Sequence, residues 1–249
     1  MSTAIITGTT SGLGLALLEQ LYGKVDSVHC FNRRHDPELA ERFPVAKFHV
    51  LNIAAMNEVR DCLEPILKGV QGPTYVFLNA GINLVDNERT FSHERFHEVI
   101  ETNLSGCSTF ISALESNLGS KAKIICIGST ATLFPNLGHA GYFVSKVALH
   151  GLVKALQRSK THHQYKLVIL GPMMSRMGRN AEVAGFKRRV FEFLAVSPQR
   201  AAAKILKFSA GNRLVLRLTW TSYFFYVALW LIYGTWFRLR SAFVFSSQS

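Results

Sequence analysis

Tyr142 and Lys146 stand four residues apart in the run Tyr142-Phe143-Val144-Ser145-Lys146, with Ser129 upstream. On a helix that spacing projects a phenol and an ammonium from one face. A phenol of unperturbed pKa about 10 gives up its proton poorly at neutral pH. A fixed cation beside it favours the phenolate, and so turns a tyrosine into an acid catalyst. By itself the pair is more often a packed ring beside a solvated amine, so other parts of the chain must decide.

A second cluster lies near the N-terminus. Thr7-Gly8-Thr9-Thr10-Ser11-Gly12-Leu13-Gly14 places glycines at the spacing G-x-x-x-G-x-G, between an apolar run and a helical pattern. Glycine there allows a tight turn and lets a pyrophosphate reach backbone amides at the positive end of a helix. The next apolar run ends in Phe31-Asn32-Arg33-Arg34, where a site for NAD usually carries an acidic residue. A neutral Asn32 removes repulsion from a 2'-phosphate and Arg33 offers it a planar cation, so NADP(H) is expected over NAD(H). The alternative is that Arg33 and Arg34 are solvated loop charges.

These groups need elements to hold them. Short apolar runs at Ala4 to Thr7, Ser27 to Phe31, Ala46 to Leu51, Tyr75 to Asn79, Lys123 to Gly128, Lys166 to Leu170 and Arg213 to Leu218 read as strands. Helical periodicity lies between them at Leu13 to Tyr22, Met56 to Lys68, His93 to Asn117, Gly141 to Lys160 and Pro198 to Phe208. The alternation predicts an α/β fold, a doubly wound, mostly parallel, Rossmann-like sheet of about seven strands with helices on both faces. A chain of 249 residues with 48% hydrophobic composition can build this as one domain, expected over residues 1–218.

The net charge of +12 favours an anionic partner, an acidic membrane surface or a phosphorylated small molecule; no nucleic-acid-binding motif is present, and nucleic acid is not expected to bind. Cys30, Cys62, Cys107 and Cys126 lack metal-ligand spacing and read as reduced thiols of a cytosolic protein, with no metal site. Met1 to Thr7 carries no basic leader, so a secretory signal is not expected.

Together these motifs resemble the short-chain dehydrogenase/reductase family over roughly Ala4 to Leu218. Gly8, Gly12 and Gly14 match its glycine turn, and Asn79-Ala80-Gly81 resembles its N-A-G turn beside the cofactor. Asn103 matches the asparagine that holds a proton-relay water, and Ser129, thirteen residues before Tyr142, matches the catalytic serine. Gly171-Pro172-Met173-Met174-Ser175 looks like the segment that meets the nicotinamide. The sequence departs from the family at Asn52, usually an aspartate near the adenine, and in the order Gly171-Pro172.

The resemblance implies hydride transfer between a nicotinamide and a carbonyl. Tyr142 would be the acid or base, Lys146 its tuning cation and ribose ligand, Ser129 a donor to the substrate oxygen, and Asn103 part of a water chain. Cofactor contacts are expected from Gly8, Thr9, Thr10, Ser11, Gly12, Leu13, Gly14, Asn32, Arg33, Asn52, Asn79, Ala80, Gly81, Tyr142, Lys146, Pro172 and Ser175. A homo-oligomer is also implied. The competing functions are a non-catalytic NADP-binding scaffold or redox sensor, and an epimerase or dehydratase of the extended type.

Residues 219–249 fall outside that pattern. No charge interrupts Leu218 to Phe237, and about 20 residues at 1.5 Å each approach the hydrocarbon thickness of a bilayer. Trp220, Tyr223, Tyr233 and Trp236 suit an interfacial belt. The tail is expected to form a hydrophobic helix that spans a membrane, lies in its interface or packs on a partner. The first two readings put the enzyme at the cytoplasmic face of a membrane with a lipidic ketone or alcohol as substrate.

Overall fold

The computed structural model describes residues 2–85, 90–133, 135, 137–174, 195–219 and 228. Within them run strands β1 (Thr3–Thr7), β2 (Ser27–Asn32), β3 (Lys47–Val50), β4 (Thr74–Leu78), β5 (Ala122–Ser129), β6 (Gln164–Leu170) and β7 (Val215–Arg217). The described helices are α1 (Gly12–Leu21), α2 (Pro37–Arg42), α3 (Met56–Lys68), α4 (His93–Ile100), α5 (Gly106–Asn117), α6 (Ala140–Arg158) and α7 (Pro198–Ala210). The strands form one parallel sheet in the order β3-β2-β1-β4-β5-β6-β7.

A parallel sheet buried on both faces needs apolar residues on both sides of each strand. Ile5, Val76, Leu78, Ile124, Cys126 and Leu167 pack toward α3, α5 and α6. Ala4, Ile6, Phe77, Ile125, Ile127 and Val168 pack toward α1 and α7 on the opposite face. The helix ends follow local chemistry. Asp36 accepts from the Leu39 amide with Pro37 following, and Ser197 accepts from the Arg200 amide with Pro198 following, so both α2 and α7 begin on a side-chain cap.

The stretch expected as one helix from His93 to Asn117 contains a wide turn at Glu101–Ser105, where the Gly106 amide bonds Glu101 O. Two contacts account for it. The Asn103 amide is drawn onto the Ile82 main chain, and Gly106 sits so close to the Ile53 carbonyl that an added Cβ would lie 2.4 Å from its oxygen. A single-turn π-bulge of this kind is common at functional sites.

All four cysteines are free, and burial pushes the Cys30 thiol up to about 12. The expected C-terminal helix falls on residues 219–249, of which only 219 and 228 are among the described residues. Among the described residues no helix is long and apolar enough to cross a membrane.

Candidate active site

The crossovers from β1 run to β2 on one side and, through the later elements, to β4 on the other, so the sheet order reverses between β1 and β4. Sheets of this kind open a crevice at the carboxyl ends of the strands where the order reverses. Here a cleft of about 290 Å³ occupies that place. One end is lined by Gly8, Thr10, Ser11, Gly12 and Leu13 with Asn32, Arg33 and Asn52, and the other by Ile127, Tyr142, Lys146 and Met173. Asn79, Ala80 and Gly81 lie between.

The glycine turn is a built cradle. Gly8 has φ +74° and Gly12 φ +59°, values that favour glycine. Gly14, inside α1, leaves no room for a side chain: a Cβ would stand 1.8 Å from Gly8 O and 2.7 Å from Asn79 Nδ2. Ser11, at the start of α1, makes no side-chain cap bond, so the first helical amides remain available for an anion. That orphaned, positively polarised end beside a side-chain-free turn fits a dinucleotide pyrophosphate.

Several of the expected contacts also brace the cradle through their hydrogen bonds. Thr9 is fully buried outside the cleft lining, with its amide and hydroxyl both within 3.1 Å of Asn32 Oδ1. Asn32 Nδ2 returns a bond to Thr9 Oγ1 at 2.9 Å, so both ends of the Asn32 amide are engaged and Arg33 is the charged group at that rim. The Asn79 side chain donates to Thr7 O and Gly8 O at 3.1 and 3.0 Å. Thr7 Oγ1 accepts from the Asn79 and Ala80 amides, each at 3.0 Å. Asn52 is exposed at the rim, and its Oδ1 caps the Ala54 amide.

At the opposite end Lys146 is buried, and its Nζ donates to Ile127 O at 2.9 Å and stands 5.6 Å from the centre of the Tyr142 ring. The helical spacing therefore places both groups on one wall. Asn103 Oδ1 accepts from the Ile82 amide at 2.8 Å, and its Nδ2 donates to Ile82 O and to Ser145 Oγ. Asn103 and Lys146 share a second cavity of about 10 Å³, roughly the volume that holds one water. Ser129 lies outside the cleft lining at the end of β5, next to Gly128, which does line it. Its Oγ accepts from the Ala131 amide at 3.0 Å, and its own amide donates to His150 Nε2 at 3.2 Å. Pro172 is buried and its carbonyl takes the Val196 amide, whereas Ser175 is outside the described residues.

Thr7 and His150 were not singled out in the sequence. Thr7 directly precedes Gly8, and His150 follows Lys146 by four, so position and spacing carried signals for both. Phe31, Leu51, Ile53, Ile82, Thr102 and Leu170 also line the cleft but follow no readable spacing.

Residues 2–183 match the family described as short chain dehydrogenase. A 3-oxoacyl-(acyl-carrier-protein) reductase of Aggregatibacter actinomycetemcomitans is 27% identical over 164 residues, 62% of this chain and 68% of that protein. An uncharacterised oxidoreductase of Schizosaccharomyces pombe is 27% identical over 161 residues, and the match spans only 54% of its length. Among solved structures, a short chain dehydrogenase/reductase from Saccharomyces cerevisiae superposes with a TM-score of 0.76 at 16% identity, covering 88% of this chain and 96% of that one. A short chain dehydrogenase from Burkholderia cenocepacia in complex with NADP superposes with a TM-score of 0.68 at 21% identity, covering 86% of each chain. At these identities the structural likeness establishes the fold.

Proposed function

The chain belongs to the short chain dehydrogenase family and is an NAD(P)-dependent oxidoreductase, and we propose that it uses NADP(H) to interconvert a ketone and a secondary alcohol of apolar, lipidic character. The observation that carries this is the single cleft in which the glycine cradle and Arg33 at one end meet Tyr142 and Lys146 at the other.

Gly8, Thr10, Ser11, Gly12 and Leu13 would hold the pyrophosphate, Arg33 the 2'-phosphate and Lys146 the nicotinamide ribose. The bound cofactor supplies or accepts the hydride. Tyr142 delivers a proton to the carbonyl oxygen as charge develops there, or removes it in the reverse direction. Ser129 Oγ accepts from the Ala131 amide, which leaves its own hydrogen for that oxygen. The small cavity lined by Asn103 and Lys146 supports the reading of a water there that would pass protons toward Lys146. In NADP's favour, Asn32 presents no charge and Arg33 no acidic neighbour at the rim. An apolar substrate is favoured by Met173 in the cleft wall with exposed Met174 beside it, and by exposed Leu137 five residues before Tyr142.

Replacing Tyr142 by Phe should leave NADPH binding intact and remove most carbonyl-dependent NADPH oxidation, by at least about a hundredfold. A variant with near-normal turnover refutes the assignment. The uncharged run in residues 219–249 supports a membrane-associating tail that keeps the catalytic unit, residues 1–218, at the cytoplasmic face of a membrane. A chain ending at residue 218 should move from the membrane pellet to the supernatant, and its retention in the pellet excludes the tail as anchor.

A further inference from the structure

We propose that His150 is a positioning residue for the active site: its neutral imidazole holds the Ser129 main chain, and through it aims the Ser129 hydroxyl at the substrate oxygen. The proposal rests on the reading of Ser129 as the donor to that oxygen.

The geometry begins with an overhang. The last pairing between β4 and β5 is Leu78 with Cys126, so β5 runs three residues beyond β4 and ends at Ser129, which on the other side still pairs with Leu170 of β6. The Ser129 amide donates to a side chain there, His150 Nε2, at 3.2 Å. The ring rests on the backbone just before it: a Cβ on Gly128 would lie 2.1 Å from Nε2 and 2.7 Å from Cδ2. A glycine and an imidazole thus fit where two side chains would collide. The Ser129 carbonyl and hydroxyl are held in turn by Thr132 Oγ1 and the Ala131 amide, which leaves the main chain at the strand end little freedom.

His150 stands four residues after Lys146 and eight after Tyr142 on α6. One stripe of one helix therefore carries the acid, its cation and this clamp. As an acceptor, Nε2 must be unprotonated, with the ring proton on Nδ1. Burial, followed by the neighbouring charges of Lys146 and Lys154, holds His150 down to about 4, so the lone pair is present throughout the neutral range. An imidazolium would turn that acceptor into a donor facing an N–H.

The test uses the full chain with three substitutions. His150→Gln sets an amide oxygen close to the position of Nε2, whereas the amide of His150→Asn is too short and His150→Leu has no acceptor. We expect Leu and Asn to lower kcat roughly tenfold with the KM for NADPH within about twofold, and Gln to recover most of the loss. Hydrogen exchange at the Ser129 amide should quicken in Leu and Asn and stay near wild type in Gln. The proposal is overturned if Gln is as impaired as Leu and Asn, or if Ser129 exchange is the same in all. Should the wild-type protein oxidise no NADPH with any carbonyl, the reductase reading fails, and the exchange comparison still decides whether His150 holds Ser129. If the Leu variant does not fold, the Asn and Gln pair carries the same contrast.

Discussion

Gly14→Ala tests the cradle with a single methyl group. The new carbon would lie 1.8 Å from Gly8 O and 2.7 Å from Asn79 Nδ2, against ordinary contacts of roughly 3.3 Å, so the glycine turn must retreat by more than about 1 Å. That movement strains or breaks the Asn79 bonds to Thr7 O and Gly8 O, each worth about 1 kcal/mol. Overpacking adds about 2 kcal/mol, and the better helix propensity of alanine returns about 0.7 kcal/mol. The net loss is about 3 kcal/mol, which for a chain of this size lowers Tm by about 6–12 °C. A displaced turn also forfeits a charge-assisted bond to the pyrophosphate, so NADPH affinity should fall about thirtyfold. Urea titration and NADPH fluorescence titration read the two effects. Gly151→Ala is the control, because Gly151 lies within α6 with open space around it and should gain about 0.5–1 kcal/mol. If Gly14→Ala matches wild type in both urea midpoint and NADPH affinity, the close packing of α1 on the glycine turn is wrong.

Arg33→Ala should raise the KM for NADPH roughly tenfold to a hundredfold while that for NADH changes little, and equal effects on both cofactors would remove Arg33 from the 2'-phosphate. Asn32→Asp keeps an acceptor for the Thr9 amide and hydroxyl, so it should fold normally and shift preference toward NADH; unchanged preference would contradict its place at the rim. Acid should destabilise the protein through His29, which burial, with His49 and Lys47 adding to it, holds down to about 4 from 6.5. Between those values the unfolded chain binds the proton that the folded chain refuses, so stability falls as pH drops from 6.5 toward 4, by on the order of 3 kcal/mol at most. Urea midpoints at pH 7 and pH 4.5 should differ less in His29→Leu than in wild type, and identical differences would exclude His29 as a source of acid lability.

Much of the frame was readable because it depends on local pattern. The period of apolar residues located all seven strands to within about two residues, since a buried parallel strand must be apolar throughout. The short helix Pro37–Arg42 escaped notice, because six residues held by the Asp36 cap span less than two turns of periodicity. The wide turn at Glu101–Ser105 left no mark in the pattern either. It arises from contacts with Ile82 and Ile53, residues some twenty and fifty positions away.

The site divides in the same way. The Tyr142 and Lys146 spacing, the glycine turn and the family resemblance came from the sequence by itself, because helix geometry and glycine's conformational range are properties of a few adjacent residues. Only the tertiary structure decided which of these groups face the cleft and which stand behind it. Asn32 and Asn79 line the cleft while their side chains are also braced on Thr9 and on the Thr7 and Gly8 carbonyls, and the Ser129 amide bonds His150 twenty-one residues later. Type and spacing state which bonds a side chain can make, but the partner it takes depends on which distant backbone groups the packed sheet brings within 3 Å and leaves unpaired.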